Sequence, residues 1–147
     1  MPLIHSDVTT DALDVNALRA AVESPTAGAV TCFIGQIRDH DPEADGVVTG
    51  IDYTHHPDAD KMIGPIVERV LEQLDPDAQA SVSAVHRVGH LDVGDLALVV
   101  CVATAHRRQS FDICEAVVEA IKAELPIWKQ QFEATGRQVW SNLGVNL

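Results

Sequence analysis

A long amphipathic segment that ends at a proline predicts the main helix of this chain. Apolar side chains recur at helical spacing within residues 106–125, at Phe111, Cys114, Val118, Ile121 and Leu125. The spacing predicts a helix that buries one face against a core. Pro126 disfavours helical geometry at the residue before it, so the helix is expected to end at Leu125.

Strand-like segments rich in β-branched residues surround this helix in the sequence. They cover residues 28–38, 47–56, 80–89 and 96–105, with a last short strand within 137–143. Shorter helices are predicted over residues 14–24, with Asp14 as the N-cap, and over residues 57–74. The turn residues 94–95 predict a hairpin between the third and fourth strands. Strands and helices mix without strict alternation, which favours an α+β fold with mixed and antiparallel strands and packed helices.

The composition limits the classes of function. An excess of 22 acidic over 10 basic side chains gives a formal net charge of −12, which argues against a nucleic-acid partner. There is no apolar stretch of the roughly 18 residues that a membrane span needs, and the N-terminus does not read as a secretory signal. Three cysteines without a CxxC pair predict small buried thiols in a reducing cytoplasm. One domain is expected over 1–147, with an acidic loop at about 39–46 and a short tail after 140.

Several of the ten cationic side chains lie at the ends of apolar segments of this acidic chain, so a local anion site is one interpretation and scattered solvated charge is the other. Lys122 and Lys129 lie on either side of Pro126, and a chain reversal there would bring their ammonium groups towards a common anion. The alternative for Lys122 is a surface ion pair with Glu115 or Glu119.

Two further groups of cations are candidates for anion binding. The His-Arg-Arg sequence at 106–108 stands where a strand ends and a helix begins, and backbone N–H groups at a helix N-terminus bind anions. A solvated basic turn is the alternative there. Arg38 ends the first long strand and offers a forked donor to phosphate or carboxylate; otherwise it pairs with Asp39 or Asp41.

Several histidines raise the question of a metal site. The sequence HRVGH at residues 86–90 has the spacing of a zinc-protease helix but lacks its central glutamate. On a strand its two histidines would stand about 13 Å apart, too far to hold one ion. We therefore expect no metal.

Four ordered motifs resemble the large, catalytic subunit of molybdopterin synthase, the MoaE family. They are GQIR at 35–38, HRVGHLDVGD at 86–95, AHRRQSF at 105–111 and KAELPIWK at 122–129. The resemblance extends from about Gly28 to Trp140, which is most of the chain.

The resemblance implies a hammerhead-type α+β fold that dimerises through the large subunit, within a cytoplasmic heterotetramer. It also implies a sulfurtransferase. A small ubiquitin-like subunit would insert its C-terminal Gly-Gly tail, carried as a thiocarboxylate, into a pocket. Sulfur would pass to cyclic pyranopterin monophosphate in two rounds, giving the dithiolene of molybdopterin. Neither a metal nor another cofactor is implied.

The resemblance also implies roles for particular residues. Lys122 and Lys129 would be the catalytic pair. Lys122 would lie beside the tail carbonyl and the transferring sulfur and offset developing negative charge, and Lys129 would transfer a proton or anchor the phosphate. Both belong to the implied substrate pocket, whose other members are Gln36, Ile37, Arg38, His106, Arg107, Gln130 and Gln131.

This chain departs from the family pattern at two places. Gln130 and Gln131 stand where many relatives have a basic–acidic pair. The short segment after Trp140 lacks the basic tail of many relatives, and Arg137 is the candidate to replace it. Two other functions are alternatives: a non-catalytic module that holds a ubiquitin-like Gly-Gly tail, and a histidine-rich metal-binding protein.

Overall fold

The computed structural model describes residues 4–40, 46–134, 136 and 138–141, which form eight strands and three helices. In chain order these are β1 (Ile4–Thr9), α1 (Val15–Ala20), β2 (Ala29–Gln36), β3 (Val48–His55), α2 (Ala59–Leu74), β4 (Ser81–Arg87), β5 (Gly89–Asp92), β6 (Leu96–Thr104), α3 (Arg107–Glu124), β7 (Ile127–Glu133) and β8 (Gln138–Ser141). No described helix combines the length and the apolarity that a membrane span requires.

The first sheet is mixed and carries the larger core. Its strand order is β1-β4-β6-β2, with β1 parallel to β4 and the other pairs antiparallel. α2 and α3 pack on one face through fully buried side chains such as Ile63, Val67, Ile113 and Val117. α1 packs on the opposite face through Leu18. Because burial of each large aliphatic side chain contributes about 1.5–3 kcal/mol, the sheet holds α3 firmly in place.

The second sheet is antiparallel throughout, with the strand order β5-β3-β7-β8. A separate apolar cluster joins it to the first sheet, because this cluster includes Ile51 and Leu91 from the second sheet and Ala97 from the first. Ile37, which directly follows β2, belongs to the same cluster. The end of β2 is therefore held against the second sheet, where the candidate site lies.

The α+β prediction is confirmed, and so is the end of the long helix. α3 stops at Glu124, with Leu125 as its C-cap. Asp14 caps α1, since its carboxylate accepts a hydrogen bond from the Ala17 N–H at 3.1 Å. Residues 41–45 of the predicted acidic loop, Arg137 and residues 142–147 of the tail lie outside the described residues.

The hairpin predicted around residues 94–95 is wrong in one respect. The two predicted strands pair as β4 and β6, but the connection between them contains β5, which joins the second sheet. Gly89 has a φ of +91°, a left-handed conformation that glycine adopts without strain. This glycine redirects the chain from one sheet to the other.

Candidate functional site

A cavity of about 610 Å³ opens between the two sheets and the C-terminal turn of α3. It collects residues from distant parts of the sequence, because the end of β2, the end of α3 and the start of β7 meet there. Of the predicted pocket residues, its wall contains Gln36, Ile37, Arg38, Lys122, Lys129 and Gln131.

A chain reversal after α3 places the second lysine. The C-cap residue leaves helical geometry (φ −72°, ψ 123°), and the Pro126 carbonyl accepts a hydrogen bond from the His56 N–H at 3.0 Å. β7 then pairs antiparallel with β3, which sets Lys129 opposite Tyr53. The register of a strand, rather than a continued helix, therefore holds Lys129 in the cavity that Lys122 also lines.

Gln130 and Gln131 are successive residues of β7, and their side chains lie on opposite faces of the strand. Successive side chains of a strand point to opposite faces. Gln131 is fully buried and lines the cavity with Lys129. Gln130 instead donates a hydrogen bond from Nε2 to Oε1 of Gln138 at 3.0 Å, between β7 and β8. The structure thus brings Gln131 to the cavity and leaves Gln130 outside it.

Lys122 does not form the surface ion pair that the sequence left as an alternative. Within the described part of the chain, neither Glu115 nor Glu119 pairs with it, although Glu119 lines the same cavity. Lys122 occupies the last turn of α3, where the negative end of the helix dipole favours a cation. Its ammonium group is therefore available to an anionic ligand.

Arg38 also lines the cavity. Asp39, one of its two alternative partners, binds His40 instead, with Nδ1 and Oδ1 at 2.6 Å. The other, Asp41, lies outside the described residues. Arg38 adds a third cationic side chain to the wall of the cavity that the two lysines line.

Tyr53 and His86 also line the wall, as does His40, and the sequence motifs assigned none of these three ring side chains to it. Tyr53 and His86 lie edge to face, with ring centroids 5.1 Å apart and an interplanar angle of 81°. His86 Nδ1 is 2.7 Å from the Arg87 carbonyl oxygen. Burial penalises the charged ring and lowers the pKa of His86 to about 4; the hydrogen bond to Arg87 opposes this, and the charge of Lys122 adds to it. The cavity therefore contains a neutral imidazole beside its cations.

The other two predicted pocket residues lie elsewhere. His106 and Arg107 line a second cavity of about 420 Å³ at the N-terminus of α3, together with Arg108 and Phe111. The helix between Arg107 and Lys122 spans about 22 Å. The expectation that all these residues share one pocket is not met within a single chain.

Two of the three cysteines are buried thiols, as expected. Cys101 and Cys114 are buried, and Cys32 is partly buried. Burial raises the pKa of Cys101 to about 12 and that of Cys114 to about 11. Both thiols stay protonated at neutral pH, so they do not offer a sulfur nucleophile.

The two histidines of HRVGH are separated by the fold. His86 lines the cavity, whereas His90 on β5 binds Asp52 through Nδ1 at 2.6 Å and Asp92 through Nε2 at 3.1 Å. Across the described ranges, no group of three or more histidine, cysteine, aspartate or glutamate side chains is arranged to hold a metal ion. The structure offers no support for the metal-binding alternative there.

Comparisons with known proteins find similar chains and similar folds. The family model described as MoaE protein matches residues 8–124. Molybdopterin synthase catalytic subunit 1 of Mycobacterium tuberculosis is 34% identical over 136 residues, covering 89% of this chain and 86% of that one. Molybdopterin synthase from Staphylococcus aureus superposes with a TM-score of 0.82 at 25% identity, covering 92% of this chain and 96% of that one. A chain from a complex of subunits 1 and 2 of molybdopterin-converting factor from Helicobacter pylori shares the fold, with a TM-score of 0.68 at 16% identity and coverage of 97% and 92%.

Proposed function

This chain belongs to the MoaE protein family, and from that premise we propose that it is the catalytic subunit of a molybdopterin synthase. It is a sulfurtransferase of molybdenum cofactor biosynthesis. It moves sulfur from the C-terminal thiocarboxylate of a small ubiquitin-like subunit to cyclic pyranopterin monophosphate, which makes the dithiolene of molybdopterin. One observation supports this above the others: Arg38 after β2, Lys122 in α3 and Lys129 in β7 line one cavity although they are distant in the sequence.

The cavity suits the proposed reactants in charge and in size. The thiocarboxylate and the pterin phosphate are both anions, and the wall offers three cationic side chains. A volume of about 610 Å³ lies within the roughly 300–1,000 Å³ that small-molecule sites occupy. Since the chain as a whole carries a net charge of −12, this cationic cavity is a local exception that favours anionic ligands.

The two lysines have different roles in this proposal. Lys122, at the end of α3, lies beside the tail carbonyl and the transferring sulfur and offsets the negative charge that develops there. Lys129, fixed by the register of β7, anchors the phosphate or transfers a proton. Arg38 binds phosphate oxygens through its forked guanidinium group. Gln36, Ile37 and Gln131 shape the remaining wall.

We refer to the cavity that Lys122 and Lys129 line as the lysine cavity. We assign His106 and Arg107 to the lysine cavity of a second copy of the chain. Phe111 is 57% exposed beside them, and an exposed aromatic next to cations is typical of an interface. The assembly is then a homodimer of this chain with two copies of the small subunit, a heterotetramer. Free cysteines at all three positions fit a reducing cytoplasm, where we place the enzyme.

Alanine substitution of each lysine tests the catalytic pair. Lys122→Ala and Lys129→Ala should each lower turnover about 100-fold or more in dithiolene formation with a thiocarboxylated small subunit, because each removes charge stabilisation from the reacting groups. Lys61→Ala is the matched control, since Lys61 lies on α2 and pairs with Asp58 at 3.7 Å. Near-normal turnover in both cavity variants would refute the pair.

Ligand binding distinguishes the enzyme from a non-catalytic module. Such a module would co-purify with a small partner ending in Gly-Gly but would show no affinity for cyclic pyranopterin monophosphate in calorimetry. The enzyme binds both and transfers sulfur between them. Failure to bind any partner of this kind would contradict the proposed function itself.

A further inference from the structure

His86 is a wall residue of the lysine cavity that the roles above leave unused. It lies in the C-terminal part of β4, is partly buried, and lines the cavity together with Tyr53 and Lys122. Its edge-to-face contact with Tyr53 at 5.1 Å restricts the orientation of its ring. A ring held in this way presents a defined atom to a ligand.

The hydrogen bond to the backbone shows which ring nitrogen is available. His86 Nδ1 lies 2.7 Å from the Arg87 carbonyl oxygen, and a carbonyl only accepts, so Nδ1 carries the hydrogen. The ring is neutral at pH 7, because burial lowers the pKa of His86 to about 4. A neutral imidazole protonated on Nδ1 has its lone pair on Nε2. Within the described part of the chain, Nε2 has no hydrogen-bond partner of its own.

We propose that Nε2 of His86 binds the substrate by accepting a hydrogen bond from one of its N–H or O–H groups. This inference rests on the proposed function, because it concerns the substrate of the same cavity. The cyclic phosphate diester of the substrate and the thiocarboxylate carry no hydrogen on oxygen or sulfur at neutral pH, so a lone pair repels them. The pterin has hydrogens on its amine, its ring nitrogens and its hydroxyl groups, and it is the part that His86 recognises.

His86 and the cations together orient the substrate. The phosphate lies towards Arg38 and Lys129, and the hydrogen-bearing edge of the pterin lies towards His86. A sulfate ion, which carries no hydrogen at neutral pH, gains nothing from Nε2. His86 therefore contributes selectivity for the pterin and leaves the attraction of the anion to the cations.

Two substitutions distinguish the roles of the two ring nitrogens of His86. In His86→Asn the side-chain amide keeps the hydrogen bond to the Arg87 carbonyl but places no acceptor at the position of Nε2. In His86→Gln the longer side chain restores an acceptor near Nε2 and gives up the bond to Arg87. The measurement is the Kd for cyclic pyranopterin monophosphate by calorimetry at pH 7, with sulfate as the second ligand and circular dichroism to verify folding.

The expected result is that His86→Asn weakens pterin phosphate binding about five- to tenfold, the effect of one lost hydrogen bond. His86→Gln should stay closer to wild type, and sulfate should bind all three proteins equally. Equal weakening in both variants, or stronger loss in His86→Gln, would indicate a purely structural role and overturn the inference. Absence of pterin phosphate binding by the wild type would instead overturn the proposed function.

Nitrogen NMR of the unaltered protein provides a test that needs no variant. With ¹⁵N-labelled histidine, His86 should show a protonated Nδ1 and an unprotonated Nε2 at pH 7. The Nε2 resonance should move towards the protonated range when cyclic pyranopterin monophosphate is added, and should not move with sulfate. A protonated Nε2 in the free protein, or no movement with the pterin, would overturn the inference.

Discussion

His86 links the cavity to the pH dependence of folding. An exposed histidine has a pKa of 6.5, and burial of the ring lowers the pKa of His86 to about 4 in the folded chain. Between these values only the unfolded chain binds the proton, so stability is complete above about pH 6.5 and falls as the pH drops towards 4. In this range the free energy of unfolding changes by about 1.4 kcal/mol per pH unit, so it falls by about 3 kcal/mol in total.

Unfolding by urea at about pH 7.5 and about pH 4.5 measures this effect. The free energy of unfolding of His86→Gln should fall by about 2–3 kcal/mol less over this interval than that of the wild type, since glutamine does not titrate. His5→Gln, at an exposed position on β1, is the control and should follow the wild type. An equal loss in wild type and His86→Gln would show that another group controls the acid sensitivity.

Site residues differed in how well the sequence could reveal them. Arg38, Lys122 and Lys129 are conspicuous, because a cation at the end of an apolar segment is unusual in an acidic chain. Tyr53 and His86 lie inside strands, where the sequence gives alternation but does not show which face borders a cavity. Their role depends on how the two sheets meet, which is a property of the tertiary structure.

Among the helices and strands, α3 has the burial pattern that gives the most specific prediction about stability. Ile113 is fully buried between α2 and the first sheet, and Glu115, two residues on, is exposed. Ile113→Ala should lower the free energy of unfolding by about 2–5 kcal/mol, because it leaves a void in the core. Glu115→Ala should change it by less than about 0.5 kcal/mol. Urea midpoints of the two variants test this, and similar losses would contradict the packing of α3.

The same helix shows why some elements were predictable and others were not. α3 repeats its apolar spacing over several turns and ends at Pro126, so its own sequence contains nearly all the signal. β7 places Lys129, Gln130 and Gln131 in succession and is held by hydrogen bonds to β3 and β8. Its structure depends on pairing with distant segments, which no local pattern reports.

For the whole molecule, the length of α3 separates two groups of cations that the family resemblance places in one pocket. Lys122 is in its last turn and Arg107 is its first residue, about 22 Å away along the axis. The proposed two-fold dimer would resolve this separation, since each copy would offer the N-terminus of α3 to the other copy's cavity. Such contacts are reciprocal, so one dimer contains two composite sites.

Mixing inactive variants tests the composite site directly. Lys122→Ala and the double variant His106→Ala/Arg107→Ala should each be nearly inactive alone. After co-expression, half of the dimers carry one copy of each variant, and one of the two sites in such a dimer has every residue intact. Dithiolene formation should therefore recover to about a quarter of the wild-type value.

A mixture of Lys122→Ala with Lys129→Ala is the control and should not recover, because both residues belong to the same copy's cavity. No recovery in the first mixture, or normal activity of the double variant alone, would exclude a shared site.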